Sequence, residues 1–246
     1  MKNIVFPPHE TVRPLVFYLA AEEYLARNSE EECLLLWQAG PTVILGRNQD
    51  LEAEVNMQFC GRNGIDVFRR KSGGGCVYAD RGNLMISVVT GGNDKPFLFD
   101  RFISSLALFL RQRGFDAWPS GRNDILVGGR KVSGSAFYST GYRNVIHATL
   151  LCHEDIDTMQ MALTPSGEKL RSKGISSVRQ RVANLSEFGE ADIGALRAAL
   201  TEFFCDGETV LEEDDIVRIE SLMAAYLDRN FIAGRKHWPQ AGDFSR

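Results

Sequence analysis

The chain has little to offer zinc or disulfide chemistry. Its 246 residues include five cysteines, at 33, 60, 76, 152 and 205, scattered and odd in number. None forms a Cys-x-x-Cys pair, so neither a zinc site nor a disulfide framework is indicated. Cys33, Cys76 and Cys152 lie in apolar, strand-like runs, where a thiol is usually a small buried hydrophobe. No apolar run reaches the ~18 residues a membrane span needs. The N-terminus lacks the apolar stretch of a signal peptide, so a cytoplasmic location is expected. There is no basic excess either. The net charge is −4, which argues against a general nucleic-acid binder. The basic clusters at 69–71 and 169–181 therefore serve a specific ligand or face solvent. Low-complexity tracts, internal repeats and long linkers are also missing. What remains, 44% apolar and 24% charged residues, is the composition of an ordinary globular protein able to build one large domain, taken here as 1–246.

The pattern of apolar residues predicts a helix over 14–27, then short buried strands at 33–37 and 42–45 that read as a hairpin around Gly40-Pro41. Further strands are expected at 65–68, 76–78 and 84–89. A helix over 100–113 has Asp100 as N-cap and Gly114 as its stop. A strand pair, 125–127 and 131–138, turns at Gly128-Gly129, and another strand covers 145–151. Helices close the chain at 155–163, 192–204 and 214–227. Strands and helices are segregated, so the expected class is α+β, with a mixed, largely antiparallel sheet flanked by helices.

Residues 69–83 read Arg-Arg-Lys-Ser-Gly-Gly-Gly-Cys-Val-Tyr-Ala-Asp-Arg-Gly-Asn. Glycines let backbone N–H groups approach a ligand, successive N–H groups make an anion-binding concavity, and arginines add fixed charge. Alone, the stretch also admits a second reading, a Gly-rich turn with solvated arginines. Lys131 follows the predicted Gly128-Gly129 turn, and an ammonium there can bridge a carboxylate and a phosphate. Asn123-Asp124 either form an Asx turn or place a carboxylate that holds Mg²⁺ together with substrate phosphates. His147 shares a strand face with Val145 and Thr149. The segment 166–182 is basic and either closes over phosphates or is solvated.

In order and spacing, the stretch 69–83 joins Gly121-Arg-Asn-Asp-Ile-Leu-Val-Gly-Gly-Arg-Lys-Val-Ser-Gly-Ser-Ala, His147-Ala-Thr-Leu-Leu and Lys169–Leu185. Together they closely resemble the lipoate–protein ligase A family. The resemblance runs from about Phe17 to Glu187. It implies the catalytic-domain fold shared with biotin ligases and related to class II synthetases. It also implies ATP-dependent activation of lipoate to lipoyl-adenylate, then transfer to a lysine of lipoyl carrier domains, of 2-oxoacid dehydrogenase E2 subunits and the glycine cleavage H protein. By the same resemblance Lys131 is the essential lysine. Arg70, Gly75, Cys76, Val77, Tyr78, Asn123, Asp124, Lys173 and Ser177 would contact ATP or the adenylate. Arg70, Ser72, Gly74, Lys131, Ala136 and His147 would contact lipoate, and Asp124 is the candidate for Mg²⁺. Two departures stand out: Ala79 where a histidine is frequent, and Ile146 in place of the first of two histidines. Many bacterial members carry a further C-terminal domain, which this chain is expected to lack or to receive from a separate subunit. The alternative is an ATP-independent octanoyl or lipoyl transferase. Its cysteine nucleophile would have to be replaced at Pro165-Ser166-Gly167 or supplied by Cys152.

Overall fold

The computed structural model describes residues 1–7, 13–121, 123–164 and 181–234. In chain order the elements are β1 (Lys2–Val5), α1 (Leu15–Asn28), β2 (Cys33–Trp37), β3 (Thr42–Leu45), α2 (Leu51–Glu54), α3 (Met57–Arg62), β4 (Asp66–Arg69), β5 (Val77–Ala79) and β6 (Asn83–Thr90). Then come α4 (Lys95–Gln112), β7 (Ala117–Ser120), β8 (Asp124–Val127), β9 (Arg130–Ser139), β10 (Asn144–Leu151) and α5 (Ile156–Ala162). A 3-10 turn at Leu185–Glu187, α6 (Ile193–Phe204), β11 (Gly207–Val210), α7 (Glu213–Leu227) and α8 (Arg229–Ala233) complete the series. The α+β expectation holds. Among the described residues, no helix is long and apolar enough to cross a membrane.

Two sheets form. The larger has the order β11-β1-β2-β6-β10-β9-β8-β7, the smaller β4-β3-β5. Only β1 with β11 and β1 with β2 run parallel in the larger sheet. One of its faces, carrying Leu34, Leu84, Ile86, Ile146 and Leu150, packs on Leu106, Phe109 and Leu110 of α4 and Leu200 of α6. The other, with Leu35, Trp37, Met85 and Val145, packs on α1, against which α7 lies. Both central strands, β6 and β10, are buried along their whole length. Alternation thus sends apolar residues to both sides.

Two local expectations need correction. β2 and β3 are not a hairpin: β2 pairs with β1 and β6, while β3 pairs with β4 and β5. Every residue of both strands is buried, so neither shows the polar face that would reveal its partner; Gly40-Pro41 carries the chain from one sheet to the other. Helix α4 starts at Lys95, capped by Asp94, whose side chain accepts from Phe97 N at 3.1 Å. Asp100 lies inside the helix. Pro96 sits in the first turn, where no N–H is needed.

Candidate active site

Sheet register assembles one face of the site. Residues opposite one another share a face. Leu35, Ser87, His147 and Ala136 form one row across β2, β6, β10 and β9. Trp37, Met85, Thr149, Gly134 and Asp124 form the next, ending on β8. The surface therefore passes from apolar at β2 and β6 to charged at β8. Two clefts open on it. The first, with an empty volume of about 730 Å³, has walls from Leu19, Trp37, Ile44 and Met85 and a polar end from Asn123, Lys131 and Arg181. The second, about 710 Å³, is lined by Tyr78, Asn83, Leu151, Met159 and Leu163. Both include Cys76, Val77, Lys131, Thr149 and Arg181, so they meet at the lysine. Apolar walls with a few convergent polar groups suit a small organic ligand.

Lys131 reaches its place because of glycines. Gly128 and Gly129, at φ +57° and +76°, form the two-residue turn between β8 and β9, the conformation that only glycine adopts without strain. Lys131 Nζ then lies 2.7 Å from Asp124 Oδ1. To do so the side chain crosses Gly134, where a Cβ would stand 2.6 Å from Lys131 Cε. Arg181 Nη2 is 3.3 Å from Asp124 Oδ2. Asp124 thus holds two cations at the meeting point of the clefts. Its Oδ1 is buried against the lysine ammonium. Among the described residues no group of three or more His, Cys, Asp or Glu could hold a metal. A single carboxylate suits only a magnesium ion that arrives already bound to phosphates. The Asn123 amide reaches across to β9 and donates to Ser135 O at 3.0 Å.

The glycine loop is built around Arg70. Four of its five N–H donors go to Ser72 Oγ (2.9 Å), Ile44 O (3.0 Å), Gly73 O (2.7 Å) and Gly75 O (2.7 Å). Burial lowers its pKa to about 10, so the guanidinium stays charged at neutral pH. Arg70 therefore shapes the loop, and offers the first cleft its charge and one donor rather than a free fork. Gly74 (φ +90°), Gly75, Cys76, Val77 and Ala136 line the same cleft.

His147 lines that cleft while anchored in a buried chain of hydrogen bonds. Trp37 Nε1 donates to Ser87 Oγ at 3.0 Å, and Ser87 to Glu22 Oε1 at 2.5 Å. His147 Nδ1 is 3.1 Å from Glu22 Oε2, and its Nε2 is 2.6 Å from Ser72 Oγ. Ser72 Oγ accepts from Arg70, so its proton is free for His147 Nε2; the network assigns the Nδ1–H tautomer. The order serine, histidine, acid is that of a nucleophilic triad. Ser72, however, is fully buried, so no substrate reaches it.

Sequence reasoning missed Glu22, together with the cleft walls Leu19, Ile44 and Met85. The signal for Glu22 was two adjacent carboxylates, Glu22 and Glu23, within an otherwise apolar helix face, which demands partners. Lys173 and Ser177 lie outside the described residues, as do Pro165-Ser166-Gly167. Cys152 is fully buried on the α4 side of the sheet, and burial pushes its thiol up to about 12. It offers almost no thiolate at neutral pH, so the acyltransferase alternative has no nucleophile there.

Comparison with known proteins agrees with this geometry. The family model "Lipoyl protein ligase A/B catalytic domain" matches residues 14–205. The chain is 41% identical over 188 residues to lipoate-protein ligase LplJ of Bacillus subtilis, covering 75% of this chain and 57% of that protein. It is 43% identical over 173 residues to lipoate–protein ligase 1 of Staphylococcus aureus, covering 69% and 53%. The chain thus spans about half the length of the curated relatives it matches. Among solved structures, a bi-partite lipoate protein ligase from Thermoplasma acidophilum, described together with its E2 lipoyl domain, superimposes with TM-score 0.82 at 28% identity over 97% of this chain and 98% of that one. A lipoate-protein ligase A bound with ATP gives 0.80 at 26% over 95% and 98%. A T. acidophilum protein with bound lipoic acid gives 0.80 at 26% over 94% and 99%. The chain belongs to the lipoyl protein ligase A/B catalytic-domain family.

Proposed function

We propose that this chain is an ATP-dependent lipoate–protein ligase working in the cytoplasm, and that 1–246 is one catalytic domain. The observation that carries this is Lys131, paired with Asp124 and Arg181, where an apolar cleft meets a second cleft. In the first step a lipoate carboxylate oxygen attacks the α-phosphorus of ATP and pyrophosphate leaves. In the second, the amine of a carrier lysine attacks the acyl carbon of lipoyl-adenylate, AMP leaves, and the amine loses a proton.

Each half of the site has a task. The chamber of Leu19, Trp37, Ile44 and Met85 takes the acyl chain and dithiolane, at about 0.8 kcal/mol per buried CH₂. Ala136 and His147 line that chamber, and Ser72 holds His147 in place. The glycine loop at Gly74 and Gly75 faces the carboxylate and phosphate, with the Arg70 charge behind it. Lys131 sits between the two anions and offsets the charge that builds in the transition state. The second cleft, with Cys76, Val77, Tyr78 and the Asn123-Asp124 corner, takes the nucleotide. Asp124 would help hold Mg²⁺ arriving with ATP, which neutralises phosphate charge. Lys173 and Ser177 belong to the basic segment assigned to the phosphates. The carriers proposed are lipoyl domains of E2 subunits and the glycine cleavage H protein, in keeping with the E2 lipoyl domain that accompanies the Thermoplasma ligase.

The test is intact mass of an apo lipoyl domain after incubation with lipoate and ATP·Mg²⁺, or with synthetic lipoyl-adenylate. A lipoyl mass gain from lipoate and ATP, lost in Lys131→Ala, is expected if this chain performs both steps. A gain only from lipoyl-adenylate assigns activation to an additional domain or subunit. No gain from either overturns the proposal.

A further inference from the structure

The family match ends at residue 205, before α7 and α8. Yet these two helices grip the strand that leads into the glycine loop. Arg69 is 1% exposed. Its Nε donates to the carbonyls of Phe231 (2.9 Å) and Ile232 (3.0 Å), at the C-terminal end of α8. Its Nη1 donates to Gly46 O (2.8 Å) and Gln49 O (2.7 Å), in the loop after β3. One guanidinium thus satisfies orphan carbonyls from two segments far apart in sequence. The fit is close. Gly234 ends α8 at φ +73°, and a Cβ there would lie 2.9 Å from Arg69 Nη2.

The same β3 loop holds the glycine run. Arg47 N donates to Ser72 O at 2.9 Å, and a Cβ on Gly46 would collide with Gly74 O. Two residues on, Lys71 pairs with Glu23 and stands 4.7 Å above the Tyr226 ring of α7, whose hydroxyl donates to Glu23 at 2.9 Å. Side chains alternate along an extended chain. Arg69 and Lys71 turn to the C-terminal helices, and Arg70 between them turns to the glycine loop.

We propose that α7 and α8 are part of the acid-activating site, and that Arg69 is a positioning residue through which they set the glycine loop. The kinetic consequence rests on the ligase reading above; the structural consequence does not. Displacing the C-terminal helices loosens residues 72–76, and loosening Arg69 frees both.

Hydrogen exchange followed by mass spectrometry tests this on the full chain, with and without a non-hydrolysable lipoyl-adenylate analogue. In Arg69→Gln, amides at 72–76 and 229–234 should exchange about ten-fold faster, with β10 unchanged. Affinity for the analogue should fall about ten-fold while KM for the carrier domain stays within about two-fold. Arg69→Lys, which keeps charge but not the fork, should fall between. Should Arg69→Gln not fold, Gly234→Ala perturbs the contact from the helix side, and about three-fold faster exchange at 72–76 is expected. Loosening of the helices with an unchanged glycine loop, or an unchanged analogue affinity, overturns the proposal. If the wild-type chain does not bind the analogue, the ligase reading fails, and the exchange comparison still decides this one.

Discussion

At the scale of single residues, the site depends on where a few side chains have room to lie. Gly134 is the clearest case. A Cβ there would press on the far end of Lys131, a flexible group that can move away. Gly134→Ala should therefore leave thermal unfolding almost unchanged but displace the ammonium and, on the proposed ligase reading, lower kcat for adenylate formation by about 10²-fold or more. Melting curves beside pyrophosphate-exchange rates check this; retained activity would remove the crossing of Gly134 from the mechanism. Glu154 is a second case. Burial, with Asp80 nearby, holds its carboxyl well above the usual range, against the opposing hydrogen bond from Asn83. A raised folded pKa means its contribution is full below the unfolded value and is lost as pH rises toward the folded one. Glu154→Gln cannot ionise, so its Tm should gain on wild type between pH 5 and pH 8 by roughly a few degrees. Parallel Tm profiles across that range would show that the acid is not held neutral.

At the scale of elements, the β8–β9 hairpin and helix α4 show how local chemistry places chemistry-bearing groups. The turn at Gly128-Gly129 demands positive φ twice, and a Cβ on Gly128 would also meet the Phe188 ring at 2.6 Å. Gly128→Ala should cost about 2 kcal/mol or more, from left-handed strain plus overpacking. It should also tilt Lys131 off Asp124. Denaturant unfolding gives the first effect, and, on the proposed ligase reading, a lipoate KM rising along with it gives the second. A variant as stable and active as wild type would mean the turn is adaptable.

At the scale of the whole molecule, buried charge joins the N-terminal helix, the glycine loop strand and α7. Glu23 gathers Lys71, Arg27 and Tyr226. Burial alone would raise its carboxyl, but Lys71, Tyr226 and Arg27 outweigh it, and the pKa lies below the ordinary value. Lys71 is also lowered, by burial opposed by Glu23. Three donors converge on the Glu23 carboxylate. A lowered carboxyl contributes stability above its unfolded pKa and loses it as pH falls through the folded value. Wild type should therefore lose stability below about pH 4.5. Glu23→Gln should be about 3 kcal/mol less stable at pH 7, because the carboxylate on which Lys71, Arg27 and Tyr226 converge is lost, and should lose less on acidification. Urea titrations of both at pH 7 and pH 4 decide it; equal acid sensitivity would free Glu23 of this role.

Features whose physics spans a few residues were legible in the chain alone. The Gly128-Gly129 turn, the three-glycine loop, Asp124 and Lys131 flanking one hairpin, and the helices α1, α6 and α7 all follow from backbone propensity and period. Their stabilising partners lie within a turn or two of chain. The expected α4 start at Asp100 lies inside the helix, because Asp94 is also a capping residue and Pro96 fits the first turn. Only the tertiary structure decided the rest. Strands buried on both faces, such as β2 and β3, carry no alternation to name their neighbours, so two sheets replaced an expected hairpin. The row from Trp37 through Met85, Thr149 and Gly134 to Asp124 exists only once five strands are in register. Glu22 meets His147, and Arg69 meets α8, across 125 and 162 positions of chain. Pairings at such separations are selected by the closure of the whole fold, and no local propensity reports them.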